Sequence, residues 1–566
     1  MKLVVIGGVA GGASAAARVR RLDESAEIII FERGTDVSYS NCSLPYYLGG
    51  VVAKQSSLIM MTPQGFKKRH NIDVFVNNEV IAINRDKKTV TVRNTQTGET
   101  FDESYDKLVL SPGAKPIMPK SIEGIDRPNV FSVRNVDDVV RIKNYLDNSG
   151  VDNVVIVGGG FIGVETAENL KLAGKNVSIV EGMDQVLSPF DYDMVQYIHK
   201  EIYDNGIHLY LGSTVTKIGE GNLTAVKDGK EFTIAADAVI MAIGVCPENK
   251  LAIDAGLETG ETGGIKVDKT FKTNDPNIYA VGDVIETFNM QTGLPGRLPL
   301  AGPAQKQARI AADNICGIHS EYRGFIGSSC IHVFGLTAAS TGLNEKAAEK
   351  AGIKYDSVNV FPPDKVGIMP GSKYMSFKLL FEVPTGKLLG AQAIGPGDAV
   401  KRADAVAALI GMGGTIEDLA NFEHCYQPMY STAKDIVHMA ALVAENILSG
   451  RAKQVHLSEV RGLVESGAYI LDVREVNEYD KSHIIGAHNI PLTVLREHLD
   501  EIPKDIPVYL HCRTSQRSYY AYCTLRDLGY TNICNISGSF LGLSLYEFFN
   551  DKIDHRKPIV TDYNFI

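Results

Sequence analysis

The chain has 566 residues, which is too long for one hydrophobic core and predicts about three or four domains. A hydrophobic content of 44%, a charged content of 22% and a net charge of −10 argue against a general nucleic-acid or membrane-surface protein. With no signal-peptide pattern, no apolar run near the ~18 residues of a membrane span, and eight cysteines without C-x-x-C or metal spacing, we expect a cytoplasmic protein without a metal site.

The first predicted element is a buried strand, K-L-V-V-I, which enters a glycine turn and a helix of small residues. A second strand, E-I-I-I-F-E, ends on Glu32. Gly7 and Gly12 fit a dinucleotide-binding G-x-G-x-x-G turn, but Val9 takes the place of its middle glycine. We therefore expect a dinucleotide-binding unit that departs from the usual turn.

The same pattern recurs further along the chain, which indicates an internal duplication. Here Gly158, Gly160 and Gly163 complete the turn between a strand and a helix, and the following strand ends on Glu181. Glu181 should accept a hydrogen bond from an adenine-ribose 2′-OH and repel a 2′-phosphate, so NADH is preferred over NADPH. A later strand, I-Y-A-V-G-D, ends on Asp283, and this remote aspartate suggests FAD in the first unit.

The rest of the chain predicts two more regions. Residues from about 325 to 450 mix strands with alanine-rich helices. A short polar linker follows, and from about 455 a compact α/β unit leads to the segment V-Y-L-H-C-R-T-S-Q-R-S. A loop of this kind points backbone N–H groups at an anion or a thiolate, so we expect Cys512 to carry a persulfide. The loop residues are Cys512, Arg513, Thr514, Ser515, Gln516 and Arg517.

These motifs carry a family resemblance. G-G-V-A-G-G, S-N-C-S-L-P-Y-Y, L-S-P-G-A-K-P, G-G-G-F-I-G-V-E, I-Y-A-V-G-D, S-T-G-L-N-E and P-M-Y-S-T-A-K-D resemble the coenzyme A-disulfide reductases over about residues 1–450. These enzymes are pyridine nucleotide-disulfide oxidoreductases. The tail resembles a rhodanese domain through L-D-V-R-E, H-I-I-G-A-H-N-I-P and H-C-R-T-S-Q-R-S. The resemblance implies a homodimer that reduces coenzyme A disulfide, coenzyme A persulfide or polysulfide, all small molecules.

The implied fold class is α/β, with two Rossmann-like dinucleotide-binding domains for FAD and NAD. An α+β dimerisation domain and a C-terminal α/β rhodanese domain follow. The expected boundaries are 1–113 for the first part of the FAD domain, 114–247 for the NAD domain, 248–324 for the second part of the FAD domain, 325–448 for the dimerisation domain, 449–456 for the linker and 457–566 for the rhodanese domain.

The resemblance assigns the chemistry to Cys42, the single redox cysteine, which would form a mixed disulfide with coenzyme A. Tyr47 stands where many relatives have a second cysteine. Tyr426 aligns with a tyrosine close to the flavin, whereas a second family tyrosine is replaced at Ile368 and Met369. The implied coenzyme A-binding residues are Ser14, Arg18, Arg21, Ser38, Tyr39, Asn41, Cys42 and Lys434. Arg18 and Arg21 share a helix face, which could instead be a solvated surface.

The resemblance also implies a set of cofactor-binding residues for FAD and NADH. They are Gly7, Gly8, Val9, Ala10, Gly11, Gly12, Glu32, Arg33, Asn41, Val80, Ser111, Pro112, Gly113, Gly158, Gly160, Phe161, Ile162, Gly163, Glu181, Gly244, Gly282, Asp283, Pro299, Leu300, Ala301 and Tyr426.

Two other functions remain open from the residues. A water-forming NADH oxidase would use Cys42 as a sulfenic acid, and a redox-regulated binding protein would use the rhodanese tail as a docking module. Oxidases and peroxidases of the sister group carry a histidine in the first glycine loop, and the loop G-G-V-A-G-G has none. Without that acid–base partner, disulfide reduction is the favoured function.

Overall fold

The structure is a computed structural model that describes residues 1–148 and 150–565. The chain forms two compact units. The first unit comprises Met1–Asp184 and Tyr210–Phe325, and the second comprises Gln185–Leu209 and Ile326–Ile566. Within the described ranges, no helix has the length and apolar character needed to cross a membrane.

The strands are given first, in chain order. They are β1 (Lys2–Ile6), β2 (Glu27–Phe31), β3 (Asp73–Phe75), β4 (Asn78–Asn84), β5 (Thr89–Asn94), β6 (Thr100–Ser104), β7 (Lys107–Leu110), β8 (Ala114–Pro116), β9 (Val130–Ser132), β10 (Asn153–Val157), β11 (Asn176–Val180), β12 (His208–Tyr210), β13 (Thr214–Ile218), β14 (Asn222–Lys227), β15 (Lys230–Ala235), β16 (Ala238–Met241), β17 (Val245–Pro247), β18 (Ile265–Lys266), β19 (Ile278–Ala280), β20 (Ile285–Phe288), β21 (Pro295–Gly296), β22 (Ser329–Val333), β23 (Leu336–Gly342), β24 (Tyr355–Val360), β25 (Ser376–Glu382), β26 (Leu388–Gly395), β27 (Gln454–Val455), β28 (Tyr469–Asp472), β29 (His488–Asn489), β30 (Val508–His511) and β31 (Ile533–Ile536).

The α-helices follow in the same order. They are α1 (Ala10–Leu22), α2 (Leu44–Leu48), α3 (Pro63–His70), α4 (Val136–Asn148), α5 (Phe161–Leu172), α6 (Tyr192–Asp204), α7 (Lys250–Asp254), α8 (Ala301–Ile315), α9 (Glu345–Lys350), α10 (Ala399–Gly411), α11 (Ile416–Ala420), α12 (Ile436–Leu448), α13 (Leu457–Glu465), α14 (Val476–Lys481), α15 (Gln516–Asp527) and α16 (Ser539–Ile553).

The first unit is built on two parallel sheets. One has the strand order β19-β7-β1-β2-β3, and the other contains the run β11-β10-β16-β9. In each sheet a strand rich in valine and isoleucine, β1 or β10, has four consecutive buried residues, as is typical of a central strand in a parallel sheet. Each of these strands enters a glycine turn at its carboxyl end, followed by α1 or α5. The duplication predicted from the sequence is therefore present.

The second unit contains two sheets of different kinds. The antiparallel sheet β22-β23-β26-β25-β24 shares a hydrophobic core with α10 and α12. The sheet β27-β31-β30-β28-β29 is parallel, and its core includes residues of α15 and α16. The mixed α/β fold class, with an α+β region before a C-terminal α/β region, is confirmed.

Within the second unit the two sheets are joined by direct contacts. The Gln454 side chain donates to the Ser357 carbonyl over 2.7 Å, and the Asn359 backbone N–H donates to Ser537 Oγ over 3.3 Å. A side chain at Gly542 would meet the Phe361 ring at 3.1 Å, so a glycine allows this close approach. The C-terminal α/β region is thus fixed to the antiparallel sheet.

Candidate active site

A cavity of about 430 Å³ lies at the carboxyl ends of β1 and β7 in the first unit. This volume is within the usual range for small-molecule sites. Thirteen of the cofactor-binding residues that the family resemblance implies line this one cavity. They are Gly7, Val9, Ala10, Gly11, Glu32, Arg33, Asn41, Val80, Ser111, Pro112, Gly113, Gly282 and Asp283.

The first glycine turn has the shape of a dinucleotide cradle. Gly7 has a φ of +91°, which favours glycine, and a side chain there would meet the Ser111 carbonyl at 2.2 Å. A side chain at Gly12 would meet the Gly7 carbonyl at 1.9 Å, so this glycine lets α1 pack against the turn. Val9, which replaces the middle glycine, lines the cavity.

The Glu32 carboxylate is held by the same turn. It accepts from the backbone N–H groups of Gly8 and Gly34, each over 2.9 Å. Its neighbour Arg33 donates to Glu248 over 2.8 Å, and Arg134 pairs with the same carboxylate at 3.0 Å. The sequence does not reveal Glu248 as part of this site, because it is distant along the chain from both arginines.

The second glycine turn repeats this arrangement. Gly158 has a φ of +113°, and a side chain at Gly163 would meet the Gly158 carbonyl at 2.0 Å. Gly160 begins the first turn of α5 and has open space where a side chain would be. The Glu181 carboxylate accepts from the backbone N–H of Gly159 over 2.6 Å. Next to this turn, Phe161 is half-buried, Ile162 is exposed, and Gly244 has a φ of +121°.

Asp283 follows β19 and lines the first cavity. Burial raises the pKa of its carboxyl, while the positive charge of Arg297 opposes that shift. The Gly282 backbone N–H donates to the buried Gln307 side chain over 2.8 Å, and this bond fixes the turn before Asp283. Pro299, Leu300 and Ala301 lie at the N-terminus of α8, whose Ala304 lines the same cavity.

Cys42 lies in a short 3₁₀ turn, Asn41–Ser43, directly before α2. The cysteine is exposed and unpaired, and Asn41 beside it lines the cavity. Partial burial raises the pKa of the Cys42 thiol, and the charges of Glu165 and Asp283 raise it further. The protein groups alone therefore do not supply the thiolate stabilisation that the sequence predicts.

Glu165 is a further residue of the site whose role the sequence does not reveal. It lies on α5, just after the second glycine turn. Burial, together with the neighbouring Glu168 charge, raises the pKa of Glu165 to about 7. A carboxyl group that titrates near neutral pH and acts on the Cys42 thiol is a candidate proton-handling residue.

The predicted coenzyme A residues of the first unit lie on two segments. Ser14, Arg18 and Arg21 are on α1, where Arg21 is exposed and Arg18 pairs with Asp313 at 2.7 Å. The Arg18 charge is therefore already partly neutralised. Ser38, Tyr39 and Asn41 precede Cys42, and burial raises the pKa of the Tyr39 hydroxyl.

Tyr426 and Lys434 belong to the second unit. Both lie in the irregular segment between α11 and α12, and both are exposed. The Thr432 hydroxyl donates to the Lys434 carbonyl over 2.7 Å, which turns the chain just before α12. Tyr426 is not one of the residues that line the cavity of the first unit.

The predicted anion-binding loop follows β30, and Cys512 is only 1% exposed. The Cys512 backbone N–H donates to Ser539 Oγ over 3.2 Å. Ser515 has a φ of +72°, which explains why glycine would suit this position. The Ser515 hydroxyl offsets some of that strain by donating to the Ile536 carbonyl over 3.0 Å. Thr514 lies in this loop, and Gln516 begins α15.

The two arginines of the loop have different partners. Arg517 forms a bidentate pair with Glu478 at 2.5 and 2.8 Å, so much of its charge is neutralised. Arg513 lies over the Tyr374 ring at 5.4 Å and donates weakly to Asn564 over 3.4 Å. Arg513 is therefore the loop arginine whose charge no carboxylate contact neutralises among the described residues.

The chain fits dinucleotides at both glycine turns. Open space beyond Gly160 and Gly113 leaves room for a ligand against the backbone. The carboxylates Glu32 and Glu181, each at the end of a second strand, are held by backbone N–H groups of the glycine turns and would serve as ribose acceptors. The first turn would hold FAD and the second a nicotinamide dinucleotide.

Comparison with known families agrees with this geometry. Residues 1–308 match the pyridine nucleotide-disulphide oxidoreductase family, residues 328–436 match the dimerisation domain of that family, and residues 456–545 match the rhodanese-like domain. The coenzyme A disulfide reductase of Staphylococcus haemolyticus is 35% identical over 447 residues, which cover 79% of this chain and 100% of the relative.

Two solved structures resemble nearly the whole chain. The reduced Bacillus anthracis CoADR-RHD is 43% identical, with a TM-score of 0.93, over 97% of this chain and 98% of its own. The NAD-dependent persulfide reductase from A. fulgidus is 35% identical, with a TM-score of 0.90, over 95% of this chain and 99% of its own. The fold is that of oxidoreductases that bind FAD and NAD(P)H. The chain therefore belongs to the pyridine nucleotide-disulphide oxidoreductase family, as a coenzyme A disulfide reductase homologue that carries a C-terminal rhodanese-like domain.

Proposed function

We propose that this enzyme uses NADH to reduce coenzyme A disulfide and coenzyme A persulfide or polysulfide, with Cys42 as its single redox thiol. The observation that carries the proposal is an exposed, unpaired thiol next to Asn41, which lines the cavity at the first glycine turn. Tyr47 occupies the position of a second cysteine, so Cys42 must form its disulfide with an external sulfur. The activities named for the Staphylococcus and A. fulgidus relatives support the same chemistry.

The cofactors are assigned to the two glycine turns. Gly7, Glu32 and Asp283 would hold FAD, and Gly158 with Glu181 would hold NADH. When bound, FAD would supply a two-electron relay between NADH and the Cys42 sulfur. NADPH is disfavoured because the fixed Glu181 carboxylate would repel its 2′-phosphate.

The Cys42 thiolate attacks one sulfur of coenzyme A disulfide. A Cys42–S–S–coenzyme A bond forms, the substrate S–S bond breaks, and one coenzyme A thiolate leaves. Two electrons derived from NADH then break the mixed disulfide, return Cys42 to the thiolate and release the second coenzyme A thiolate. With a persulfide the leaving group is sulfide, and the electron count is the same.

We assign proton and phosphate contacts to three further residues. Glu165 can exchange a proton near neutral pH, so it would buffer the charge that builds up at Cys42. Tyr426 would donate a hydrogen bond to a leaving thiolate, and Lys434 would meet a phosphate of coenzyme A across a homodimer. The match to a dimerisation domain supports the homodimer that this assignment needs.

The C-terminal domain, which we assign to residues 457–566 after a linker at 449–456, would carry sulfane sulfur on Cys512. Backbone N–H groups at the start of α15 and the Arg513 charge would stabilise a persulfide anion there.

The FAD domain is assigned to 1–113 and 248–324, the NAD domain to 114–247, and the dimerisation domain to 325–448.

A panel of electron acceptors tests the proposal. NADH oxidation is measured without oxygen in the presence of coenzyme A disulfide, coenzyme A persulfide or polysulfide, and separately with oxygen alone. The proposal requires turnover with at least one sulfur substrate that clearly exceeds turnover with oxygen. Rapid oxygen consumption without sulfur turnover would identify an NADH oxidase, and no turnover at all would favour a binding protein.

A further inference from the structure

The segment between α11 and α12 has no regular helix or strand, yet its backbone is well anchored. Several of its side chains face solvent, since Tyr430 is 71% and Tyr426 is 51% exposed. An irregular segment with exposed side chains holds one shape only if its backbone groups are bound from within. Buried side chains beneath the segment must therefore hold its backbone in place through hydrogen bonds.

The main anchor is Arg402 on α10, whose side chain is 1% exposed. Its guanidinium donates to the Tyr430 carbonyl over 3.3 Å and to Asp435 Oδ2 over 3.0 Å. It also donates to the Asp398 carbonyl over 2.9 Å. Asp435 caps α12 by accepting from the Val437 backbone N–H over 3.3 Å. A buried guanidinium thus joins this segment to the start of α12.

The same guanidinium holds a second exposed loop. Arg402 donates to the Asp364 carbonyl over 2.9 Å. The Asp364 side chain accepts from the Lys373 backbone N–H over 2.9 Å, and the two backbones bond again over 2.8 Å, so residues 364–373 form a closed loop. At its tip, Ile368 is 86% exposed. Arg402 therefore sets the spacing of two solvent-facing loops.

A histidine pair lies next to this anchor. The His424 and His438 rings meet edge to face at 4.6 Å, and a His438 ring nitrogen lies 2.6 Å from the Phe422 carbonyl. His424 Nε2 is 3.9 Å from Asp435 Oδ2. His438 thus holds the backbone at Phe422, and its ring partner His424 lies close to the carboxylate that Arg402 contacts.

We propose that Arg402 is a positioning residue for the reaction at Cys42, because it fixes the segment that presents Tyr426 and Lys434. This inference rests on the proposed function, which gives those two residues their roles. The planar fork of arginine serves several acceptors at fixed angles, and a lysine cannot reproduce that geometry. Arg402 acts through the segment and does not itself meet the substrate.

A double-mutant cycle tests this role with the full-length, FAD-loaded enzyme. Arg402→Lys should lower kcat with coenzyme A disulfide by about tenfold. The KM for coenzyme A disulfide should rise while the KM for NADH and the alkylation rate of Cys42 stay unchanged. In the double variant, Tyr426→Phe should lower kcat by less than about a further twofold relative to Arg402→Lys alone. The reason is that the phenol displaced by Arg402→Lys no longer contributes.

Two further variants keep the test decisive. Arg461→Lys is the matched control, because Arg461 pairs with Asp551 at 2.8 Å in the same unit, and its turnover should equal that of the wild type. Asp435→Asn is nearly isosteric, and should show the same KM pattern if Arg402→Lys does not fold. If the fold-loss of kcat in the double variant equals the product of the losses in Arg402→Lys and Tyr426→Phe, the two residues act independently. That result would overturn the positioning role of Arg402 and leave the proposed function intact. Full activity of Tyr426→Phe would overturn the role of Tyr426 in the proposed function and, with it, the inference.

Discussion

The Glu181 carboxylate accepts a hydrogen bond from the Gly159 backbone N–H over 2.6 Å, and its second oxygen accepts from Met183 over 2.8 Å. Glu32 repeats the arrangement with Gly8 in the other half of the duplication. Each carboxylate is thus held in front of its glycine turn by backbone groups. A carboxylate held so firmly cannot easily move away from a negatively charged ligand.

The first prediction concerns the choice of nicotinamide cofactor. The ratio kcat/KM should favour NADH over NADPH by at least about tenfold, which equals ~1.4 kcal/mol. Glu181→Gln should reduce that preference because it removes the negative charge that opposes a 2′-phosphate. Steady-state kinetics with both cofactors give the ratio, and FAD content serves as the control for folding. Equal turnover with NADPH in the wild type would contradict the argument.

Cys42→Ser should retain FAD and lose reduction of coenzyme A disulfide and persulfide. Reduction is lost because serine cannot form a mixed disulfide. FAD is retained because the cavity is lined by other residues. Flavin absorbance and NADH oxidation are measured on the same sample. Cys330→Ser, which removes another exposed cysteine, is the matched control and should keep full activity. Turnover of coenzyme A disulfide by Cys42→Ser would refute the mechanism.

A third prediction links Glu165 to the reactivity of Cys42. The pKa of Glu165 is raised to about 7, so its carboxylate becomes charged as the pH rises through neutrality. That charge in turn raises the pKa of the Cys42 thiol. Glu165→Gln should therefore lower the pH midpoint of Cys42 alkylation by iodoacetamide, with the largest rate gain above pH 7.

The control for this experiment is Glu24→Gln, which removes an exposed carboxylate at the end of α1 and should leave the alkylation profile unchanged. Alkylation is followed by mass spectrometry of the peptide containing Cys42. Superimposable profiles for Glu165→Gln and the wild type would show that the two groups do not interact.

A fourth prediction concerns acid stability of the second unit. His199 is fully buried, and burial lowers its pKa to about 3 from an ordinary value of 6.5. Below about pH 6.5 the imidazole of His199 binds a proton in the unfolded chain but stays neutral in the folded chain. The free energy of unfolding should therefore fall as the pH drops below about 6.5. In His199→Gln this loss should be smaller between pH 6.5 and 4. Urea unfolding followed by circular dichroism measures it, and parallel pH curves would contradict the prediction.

The sequence predicts the parts of the site that are local in the chain. Glycine turns, the strands before them and the acidic residues Glu32 and Glu181 occur at fixed spacings, because one turn and one strand must reach the same ribose. Fold class follows from the same repeated pattern. The motif I-Y-A-V-G-D also predicts Asp283, since it marks the end of a strand in this duplicated architecture.

Long-range contacts explain what the sequence could not reveal. Arg18 looks available for a phosphate, yet it pairs with Asp313, which is far away in the chain. Arg517 looks like a free cation of the loop, yet Glu478 neutralises it. The role of Arg402 depends on hydrogen-bond acceptors in three separate segments, and no residue spacing in the sequence predicts that these segments lie close together. Pairings of this kind depend on tertiary packing.

The last prediction separates the two sulfur sites. Cys512→Ser should impair turnover with polysulfide and leave reduction of coenzyme A disulfide almost unchanged, because that disulfide has no sulfane sulfur to transfer. The Cys512 loop can bind and move sulfur, but only the site at Cys42 has access to electrons from NADH. Cys523→Ser, which changes another cysteine of the C-terminal domain, is the matched control and should keep both activities. Anaerobic NADH oxidation with each substrate measures the effect. Equal losses on both substrates would indicate a structural role for Cys512, and no loss on either would indicate that this domain serves only for docking.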